Sequence, residues 1–244
     1  MNDHAELTPL TPLTPVTPRT PRTPLTRLAG TLRTLPPSCG PVRLVAVDGH
    51  AGSGKSTFAD RLAAALGGAP VLTLDHVRSH AELFDWTDRL RQQVLDPLAQ
   101  GRTARVPAYD WNTRRFDTEM RLPAAPVVLV EGVGAGRREL RPWLAWLCWM
   151  DMAHGEAWAR GRGRDGAAQH AFWDGWERAE RQHFAGDPTR PCADTLVRQG
   201  PEGYAVLPGH RATRPSPQAV THREDPSAMR RASENPFHQN PNSA

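Results

Sequence analysis

The stretch VRLVAVDGHAGSGKSTFADRLAAAL, residues 42–66, decides the fold of this chain. Its first seven residues form an apolar run of strand length, and residues 56–66 have the pattern of a helix that stops at two glycines. Between the two, residues 49–56 fit the spacing GxxxxGK[ST] at every fixed position. A buried strand, a glycine-rich loop and a helix in this order predict a loop whose backbone N–H groups bind phosphate.

The phosphate loop contains Lys55, the only lysine in the chain, although Lys and Arg together number 30. An ammonium is a compact point charge and a guanidinium is a wide planar fork, so the two are not interchangeable in a tight loop. We therefore predict that Lys55 reaches the β- and γ-phosphates of ATP and that the Ser56 hydroxyl binds Mg²⁺. The residues predicted to hold the nucleotide are Gly49, His50, Ala51, Gly52, Ser53, Gly54, Lys55, Ser56 and Thr57.

Strand-like and helix-like segments alternate along the middle of the chain. Apolar runs of strand length lie at 42–48, 71–75, 126–132 and 144–152, and helical patterns lie at 56–66, 85–101 and 167–187. Pro97 is expected to kink or divide the second of these helices. Buried strands separated by helices predict a parallel sheet covered on both faces, here the three-layer α/β fold of P-loop NTPases. Ligands of such sheets bind beyond the carboxyl ends of the strands.

The two ends of the chain differ from its middle in composition. Residues 7–25 repeat Thr-Pro, and the chain from about residue 212 onward is rich in Pro, Asn, Ser and Arg. Proline at this density removes backbone donors, and few apolar residues are left to form a core. We therefore predict a folded domain at 41–211 and disordered tails at 1–40 and 212–244.

The charge and the cysteine content of the chain indicate which partners and which cellular compartment to expect. The formal net charge is +4, but residues 42–211 carry 22 basic and 21 acidic side chains, so no nucleic-acid partner is expected. Three dispersed cysteines without CxxC spacing suit a reducing compartment. The start of the chain lacks the apolar segment of a secretory signal, and the apolar stretch at 143–152 is too short to span a bilayer. We expect a cytoplasmic protein with no membrane partner.

Two acidic residues lie at the ends of predicted strands, Asp75 at the end of the second and Glu131 at the end of the third. Because the carboxyl ends of parallel strands share one edge of the sheet, both should face the phosphate loop. One carboxylate can accept the proton of an attacking hydroxyl while the other binds the metal or its water. No second lysine is present for the guanine-reading Asn-Lys-x-Asp, and no LSGGQ-like transporter signature occurs. The pattern favours a small-molecule kinase.

These residues resemble the uridine kinase family of P-loop kinases, in particular its actinobacterial uridine kinase-like branch. The resemblance extends over about 42–200 and rests on VDGHAGSGKST, TLDH, PAYDW, VVLVEGVGAG, ARGRGRD and TRPCADTLV. It implies that Asp75 is the general base and that Glu131 joins Ser56 at the magnesium. It also implies that Arg160 and Arg164 belong to a lid that closes over the ATP phosphates, where guanidinium groups offset developing charge.

The acceptor is the least determined part of this prediction. The resemblance implies that it lies near Tyr109 and Asp110, but Arg114 stands where uridine kinases have the histidine that helps to recognise the pyrimidine. Arginine only donates hydrogen bonds, so we expect uridine and cytidine to be poor acceptors and a smaller or anionic hydroxyl compound to be preferred. A sugar, a pantothenate-like acid and another nucleoside remain alternatives, as does a nucleotide-binding regulatory protein without turnover. The oligomeric state is left open.

Overall fold

A computed structural model of the chain describes residues 23–211. The strands are β1 (Arg43–Asp48), β2 (Val71–Thr73), β3 (Ala104–Asp110), β4 (Arg115–Leu122), β5 (Val127–Glu131), β6 (Leu144–Met150), β7 (Thr195–Gly200) and β8 (Gly203–Pro208). The α-helices are α1 (Pro24–Thr34), α2 (Lys55–Ala65), α3 (Thr87–Leu90), α4 (Asp96–Ala99), α5 (His154–Asp165) and α6 (His170–Gly186).

Six of the strands form one sheet in the order β2-β5-β1-β6-β7-β8. Neighbouring strands are parallel from β2 to β7, and β8 pairs antiparallel with β7 at the edge. Strands β3 and β4 form a separate antiparallel hairpin. With helices on both faces of the sheet, the predicted three-layer α/β fold is confirmed.

The central strand β1 shows how the two layers of core are built. Because alternate residues of a strand point to opposite faces, Leu44 and Ala46 belong to one core and Val45 and Val47 to the other. Helices α1 and α2 cover the second face with apolar side chains, and the helical segment of residues 87–99 covers the first. These four side chains are at most 1% exposed, as expected for a strand buried on both faces.

The helix predicted at 85–101 is present but contains a wider turn. A π-helical turn (Arg91–Leu95) connects α3 and α4, and Pro97 lies in the first turn of α4. Proline has no N–H, and its ring would clash with a carbonyl of the preceding turn in a regular α-helix. The π turn changes the hydrogen-bond pattern just before Pro97, so that the chain continues as a helix instead of dividing there.

The predicted boundary at residue 41 is wrong, because the folded part already includes α1. Thr23 caps this helix by accepting a hydrogen bond from the N–H of Thr26 at 3.2 Å, and Pro24 is its first residue. Leu28 and Leu32, one helical turn apart, are buried against α2 and the sheet. The Thr-Pro repeat thus ends in a helix start, which composition alone does not distinguish from a tail. The tails predicted at 1–22 and 212–244 lie outside the described residues.

Besides α1, the hairpin β3–β4, the helix α5 and the edge pair β7–β8 were not predicted. Strand β2 is also shorter than predicted, because residues 74–76 form a 3₁₀ turn after Thr73. None of the helices in residues 23–211 has the length and apolar character needed to cross a membrane.

Candidate functional site

A cleft of about 250 Å³ opens beyond the carboxyl ends of β1, β2 and β5, next to the phosphate loop. The phosphate loop and the two predicted acids contribute to it together with several aromatic side chains. The cleft is lined by Ala51, Gly52, Gly54, Lys55, Ser56, Thr57, Asp75, Trp111, Glu131, Gly132, Val133, Arg164, Phe172, Trp173 and Trp176.

The phosphate loop adopts the curled backbone that its glycines allow. Gly52 and Gly54 have φ angles of +84° and +88°, a conformation that residues with a side chain rarely adopt. A Cβ atom at Gly52 would also lie only 2.0 Å from the Ala157 carbonyl oxygen of α5. This position therefore requires glycine both for its backbone angle and for its close contact with α5.

Asp48, the last residue of β1, holds the phosphate loop against the loop that follows β5. Its buried carboxylate accepts hydrogen bonds from the N–H groups of Gly49 at 2.7 Å, Gly134 at 2.8 Å and Gly136 at 2.9 Å. Burial raises the pKa of Asp48, although these three N–H groups stabilise its charged form. The sequence predictions did not assign a role to Asp48. The sequence signal that could have pointed to such a role is the position of this residue directly before the phosphate-loop motif.

Lys55 is buried in the loop, with only 8% of its surface exposed. Its Nζ donates a hydrogen bond to the carbonyl oxygen of His50 at 2.9 Å. Burial lowers the pKa of Lys55, while the charges of Glu131, Glu180 and Asp48 act in the opposite direction. The ammonium is thus held inside the protein at the position where the motif predicts contact with phosphate.

Ser56 and Glu131 come together as predicted, since the Ser56 hydroxyl donates to Glu131 Oε1 at 3.1 Å. Glu131 is 2% exposed, and its burial raises its pKa while the charge of Lys55 lowers it. Residues 23–211 contain no group of three or more His, Cys, Asp or Glu side chains that could hold a metal. Two protein oxygens suit Mg²⁺, which keeps several waters and is usually completed by substrate phosphates.

The groups of the loop that reach the cleft test its fit to phosphate. Ser53 has a buried hydroxyl without a hydrogen-bond partner among the described residues, but it does not line the cleft. Lys55 does line the cleft, and its buried ammonium and the curled backbone at Gly52 and Gly54 suit the phosphate chain of a nucleotide.

Asp75 lies in the 3₁₀ turn after β2, and its side chain opens to the cleft with 60% of its surface exposed. Arg78 lies behind it, with Nε 3.3 Å from Asp75 Oδ1 and with its own side chain completely buried. Arg78 also donates to the carbonyl oxygen of Val133 at 2.9 Å, and Trp111 Nε1 donates to the Asp75 carbonyl oxygen at 3.0 Å. These contacts fix the turn while leaving the carboxylate open to an incoming hydroxyl.

The structure brings one of the two predicted lid arginines to the cleft. Arg164 lines the cleft and forms two hydrogen bonds to Asp165, at 2.6 and 3.1 Å. Arg160 is exposed and lies outside the lining, with Nη1 3.8 Å from the sulfur of Met152. Arg162, between them, forms ion pairs with acidic residues of α6. Arg160 and Arg164 lie on the same face of α5, about 6 Å apart along its axis, so only the arginine at the C-terminal end of the helix reaches the cleft.

The three residues predicted to contact the acceptor do not line this cleft. Tyr109 is 7% exposed, and its hydroxyl lies 2.9 Å from His80 Nδ1. Asp110 Oδ1 accepts hydrogen bonds from two N–H groups of the β3–β4 turn, at 2.7 and 3.1 Å. Arg114 is an exposed residue of the same turn with φ of +59°. Their spacing reflects a hairpin and its turn, which was not predicted.

Aromatic side chains form the wall opposite the phosphate loop. Trp111 comes from the β3–β4 turn, and Phe172, Trp173 and Trp176 come from α6. The centroids of the Trp111 and Phe172 rings lie 5.8 Å apart with their planes near perpendicular. The sequence pattern of α6 alone does not reveal which of its faces borders a cleft, so it does not assign Trp173 and Trp176 to the site.

Comparisons with known proteins give partial matches. No protein-family model matches the chain. The chain is 29% identical over 107 residues to uridine kinases from two strains of Chloroflexus aurantiacus, a match that covers 37% of this chain and 51% of each kinase. It is 28% identical over 112 residues to the inorganic pyrophosphatase TTM2 of Arabidopsis thaliana, covering 41% of this chain and 16% of that protein. The chain thus matches about half the length of the kinases and a small part of the pyrophosphatase.

Two solved structures are also similar to this chain. One is described as a possible uridine kinase from Bacillus stearothermophilus, with 20% identity and a TM-score of 0.49 over 70% of this chain and 96% of that one. The other is a putative fructose transport system kinase from Silicibacter, with 24% identity and a TM-score of 0.47 over 57% and 80% of the two chains. The curated matches are thus partial similarities to two uridine kinases and to one pyrophosphatase, and they leave the acceptor open. The assignment to an actinobacterial branch stays a prediction.

Proposed function

We propose that this chain is an ATP-dependent kinase that transfers the γ-phosphoryl group of ATP to a hydroxyl group of a small metabolite. The observation that carries the proposal is the convergence of Lys55, Ser56, Asp75 and Glu131 on one cleft. A cation, a hydroxyl for the metal and two carboxylates are the groups that this transfer requires. The partial similarity to uridine kinases, 29% identity over 107 residues, supports the same class of reaction.

The reaction follows from these positions. The acceptor oxygen forms a bond to the γ-phosphorus, and the bond between that phosphorus and the β,γ-bridging oxygen breaks, so that ADP leaves. The hydroxyl proton passes to Asp75, whose exposed carboxylate can accept it. Lys55 and the loop N–H groups offset negative charge on the phosphates, and the guanidinium of Arg164, in the predicted lid, adds to this electrostatic stabilisation. Mg²⁺, when bound at Ser56 and Glu131, neutralises charge on the β- and γ-phosphates.

The aromatic wall bears on the class of acceptor. Trp111, Phe172, Trp173 and Trp176 offer ring faces and little positive charge, which favours an acceptor with a flat ring. Arg114, which was the reason to expect a small or anionic acceptor, lies in an exposed turn outside the lining. We therefore place a nucleoside-like acceptor first and a sugar or hydroxy acid second.

A panel assay tests the proposal. The full chain is incubated with Mg·ATP and, separately, with nucleosides, sugars and hydroxy acids, and ADP release and the phosphorylated product are measured together. Saturable phosphorylation of one class supports the kinase and identifies that class. If the chain binds Mg·ATP but no acceptor raises turnover above background, the nucleotide-binding regulator is favoured instead.

A further inference from the structure

Glu180, in the middle of α6, is a completely buried carboxylate that contacts the phosphate loop. Its Oε1 lies 2.7 Å from His50 Nδ1 and accepts a hydrogen bond from Trp158 Nε1 at 3.1 Å. Its Oε2 accepts from the Ala51 N–H at 3.1 Å and from Trp176 Nε1 at 2.8 Å. Burial acts to raise the pKa of Glu180, but the contacts with His50, Lys55 and Ala51 outweigh it, so the pKa is lowered. One carboxylate thus connects the phosphate loop, α5 and α6.

The contact with Ala51 leads directly to Lys55 through one peptide group. The N–H of Ala51 and the carbonyl of His50 belong to the same peptide bond, and the described residues contain no cis peptide. In a trans peptide these two groups point in opposite directions. The N–H points to Glu180, and the carbonyl accepts the hydrogen bond from Lys55 Nζ at 2.9 Å. The peptide therefore lies between a buried carboxylate and a buried ammonium.

We propose that Glu180 is a positioning residue for nucleotide binding, because it fixes the His50–Ala51 peptide and this peptide fixes the Lys55 ammonium at the phosphate end of the cleft. The proposal rests on the proposed function in so far as ATP is the ligand. It adds that α6, beyond lining the cleft with aromatic side chains, holds the phosphate loop in its binding conformation. The ring of His50 packs against Trp149 and Phe184, with centroids 5.3 and 5.1 Å away, which restricts the loop from the other side.

The same helix contains a matched control. Glu177 lies one turn before Glu180, and its side chain is 18% exposed. It pairs with Arg162 at 2.6 Å and with Arg181 at 3.6 Å, and it has no hydrogen bond to the phosphate loop. Glu180→Gln and Glu177→Gln are the same chemical change on one helix, but only the first faces the loop.

Titration calorimetry with Mg·ATP on the full chain gives the first test. In Glu180→Gln, an amide NH₂ replaces one of the two accepting oxygens, so at least one N–H donor loses its partner. We expect the Kd for Mg·ATP to rise about tenfold, and to change by less than about twofold in Glu177→Gln. Equal Kd values for Glu180→Gln and the parent would overturn the positioning role. Failure of the parent itself to bind Mg·ATP would instead contradict the proposed function.

A double-mutant cycle separates positioning of Lys55 from general support of the fold. In the Lys55→Met background no ammonium remains to be positioned, so Glu180→Gln should change the Kd by less than about threefold. If the tenfold effect persists in that background, Glu180 does not act through Lys55 and the proposal is wrong.

Circular dichroism and melting temperature show whether Glu180→Gln is folded. If it is not, Trp158→Phe replaces it, because this change removes one donor to Glu180 and keeps most of the ring. The Kd for Mg·ATP should then rise about threefold, since the carboxylate is held less firmly. An unchanged Kd in folded Trp158→Phe would overturn the proposal.

Discussion

The two sides of the cleft are built in opposite ways. The phosphate side consists of residues 48–57 and Glu131, and its charged groups are nearly inaccessible, with Lys55 8% and Glu131 2% exposed. The acceptor side consists of the turn at Asp75, the β3–β4 turn and α6, and the Asp75 side chain is 60% exposed. The phosphate side is formed mostly by one short segment of the chain, and its charges are buried. The acceptor side is assembled from segments that are distant in sequence, around the exposed carboxylate of Asp75.

This difference follows from what each side has to bind. A phosphate chain is the same in every ATP, so its site can be fixed by backbone N–H groups and by charges held in place by burial. An acceptor varies between kinases, and its site has to admit the acceptor and release a phosphorylated product. We therefore expect substitutions on the phosphate side to affect ATP binding and turnover together, and substitutions on the acceptor side to affect turnover or acceptor affinity alone.

The largest effect is expected on the phosphate side, at Lys55. Lys55→Ala should reduce turnover about 1,000-fold, because charge on the transferred group is no longer offset. Lys55→Arg should also lose at least about 100-fold, because a planar guanidinium does not fit between the loop and the His50 carbonyl. Initial rates and melting temperatures of both variants measure this. Parent-like rates in Lys55→Arg would show that charge alone is sufficient.

The next effect is expected at Asp75, on the acceptor side. Asp75→Asn keeps the size of the side chain but removes the proton acceptor, so turnover should fall about 100-fold. The Kd for Mg·ATP should stay within about twofold of the parent, because Asp75 does not belong to the phosphate loop. Single-turnover rates together with calorimetry test both statements. Nearly unchanged turnover would mean that another group activates the acceptor.

A smaller effect tests whether the aromatic wall or Arg114 determines the affinity for the acceptor. Trp111→Ala removes a ring face from the cleft and should raise the acceptor KM about tenfold with ATP affinity unchanged. Arg114→Ala should change the acceptor KM by less than about twofold, because this side chain lies in an exposed turn. Kinetics with the best acceptor of the panel decide between them. A larger effect at Arg114 would support the small or anionic acceptor inferred from the resemblance.

The smallest effect on activity is expected in α1, which lies on the opposite face from the hairpin and supports the sheet. Leu32→Ala should lower the free energy of unfolding by about 3 kcal/mol, because Leu32 is completely buried. The exposed neighbour Thr31 provides the control, and Thr31→Ala should cost less than about 0.5 kcal/mol. Denaturant unfolding measures both, while turnover of the folded protein stays unchanged. Equal stabilities would mean that the domain starts after α1, as composition suggested.

The phosphate side is the part of the site that the sequence by itself specifies, because its information is local. The spacing from Gly49 to Ser56 determines both the backbone curl and the place of the ammonium, and the contact between Ser56 and Glu131 follows from the parallel pairing of β1 and β5. The class of fold follows from the same segment, since the buried strands around it have the apolar pattern of a parallel sheet.

Only the tertiary structure shows which residues form the acceptor side of the cleft and which residue holds the phosphate loop in place. Tyr109, Asp110 and Arg114 are close in sequence, but they do not act together in the structure. The Tyr109 hydroxyl contacts His80, Asp110 accepts hydrogen bonds from the hairpin turn, and Arg114 is exposed. Glu180 is 129 residues from Ala51 along the chain, and nothing in the pattern of α6 indicates that this one acid faces the phosphate loop. Contiguous spacing determines what a loop can bind, whereas the packing of helices against that loop determines which distant side chains hold it and line the cleft.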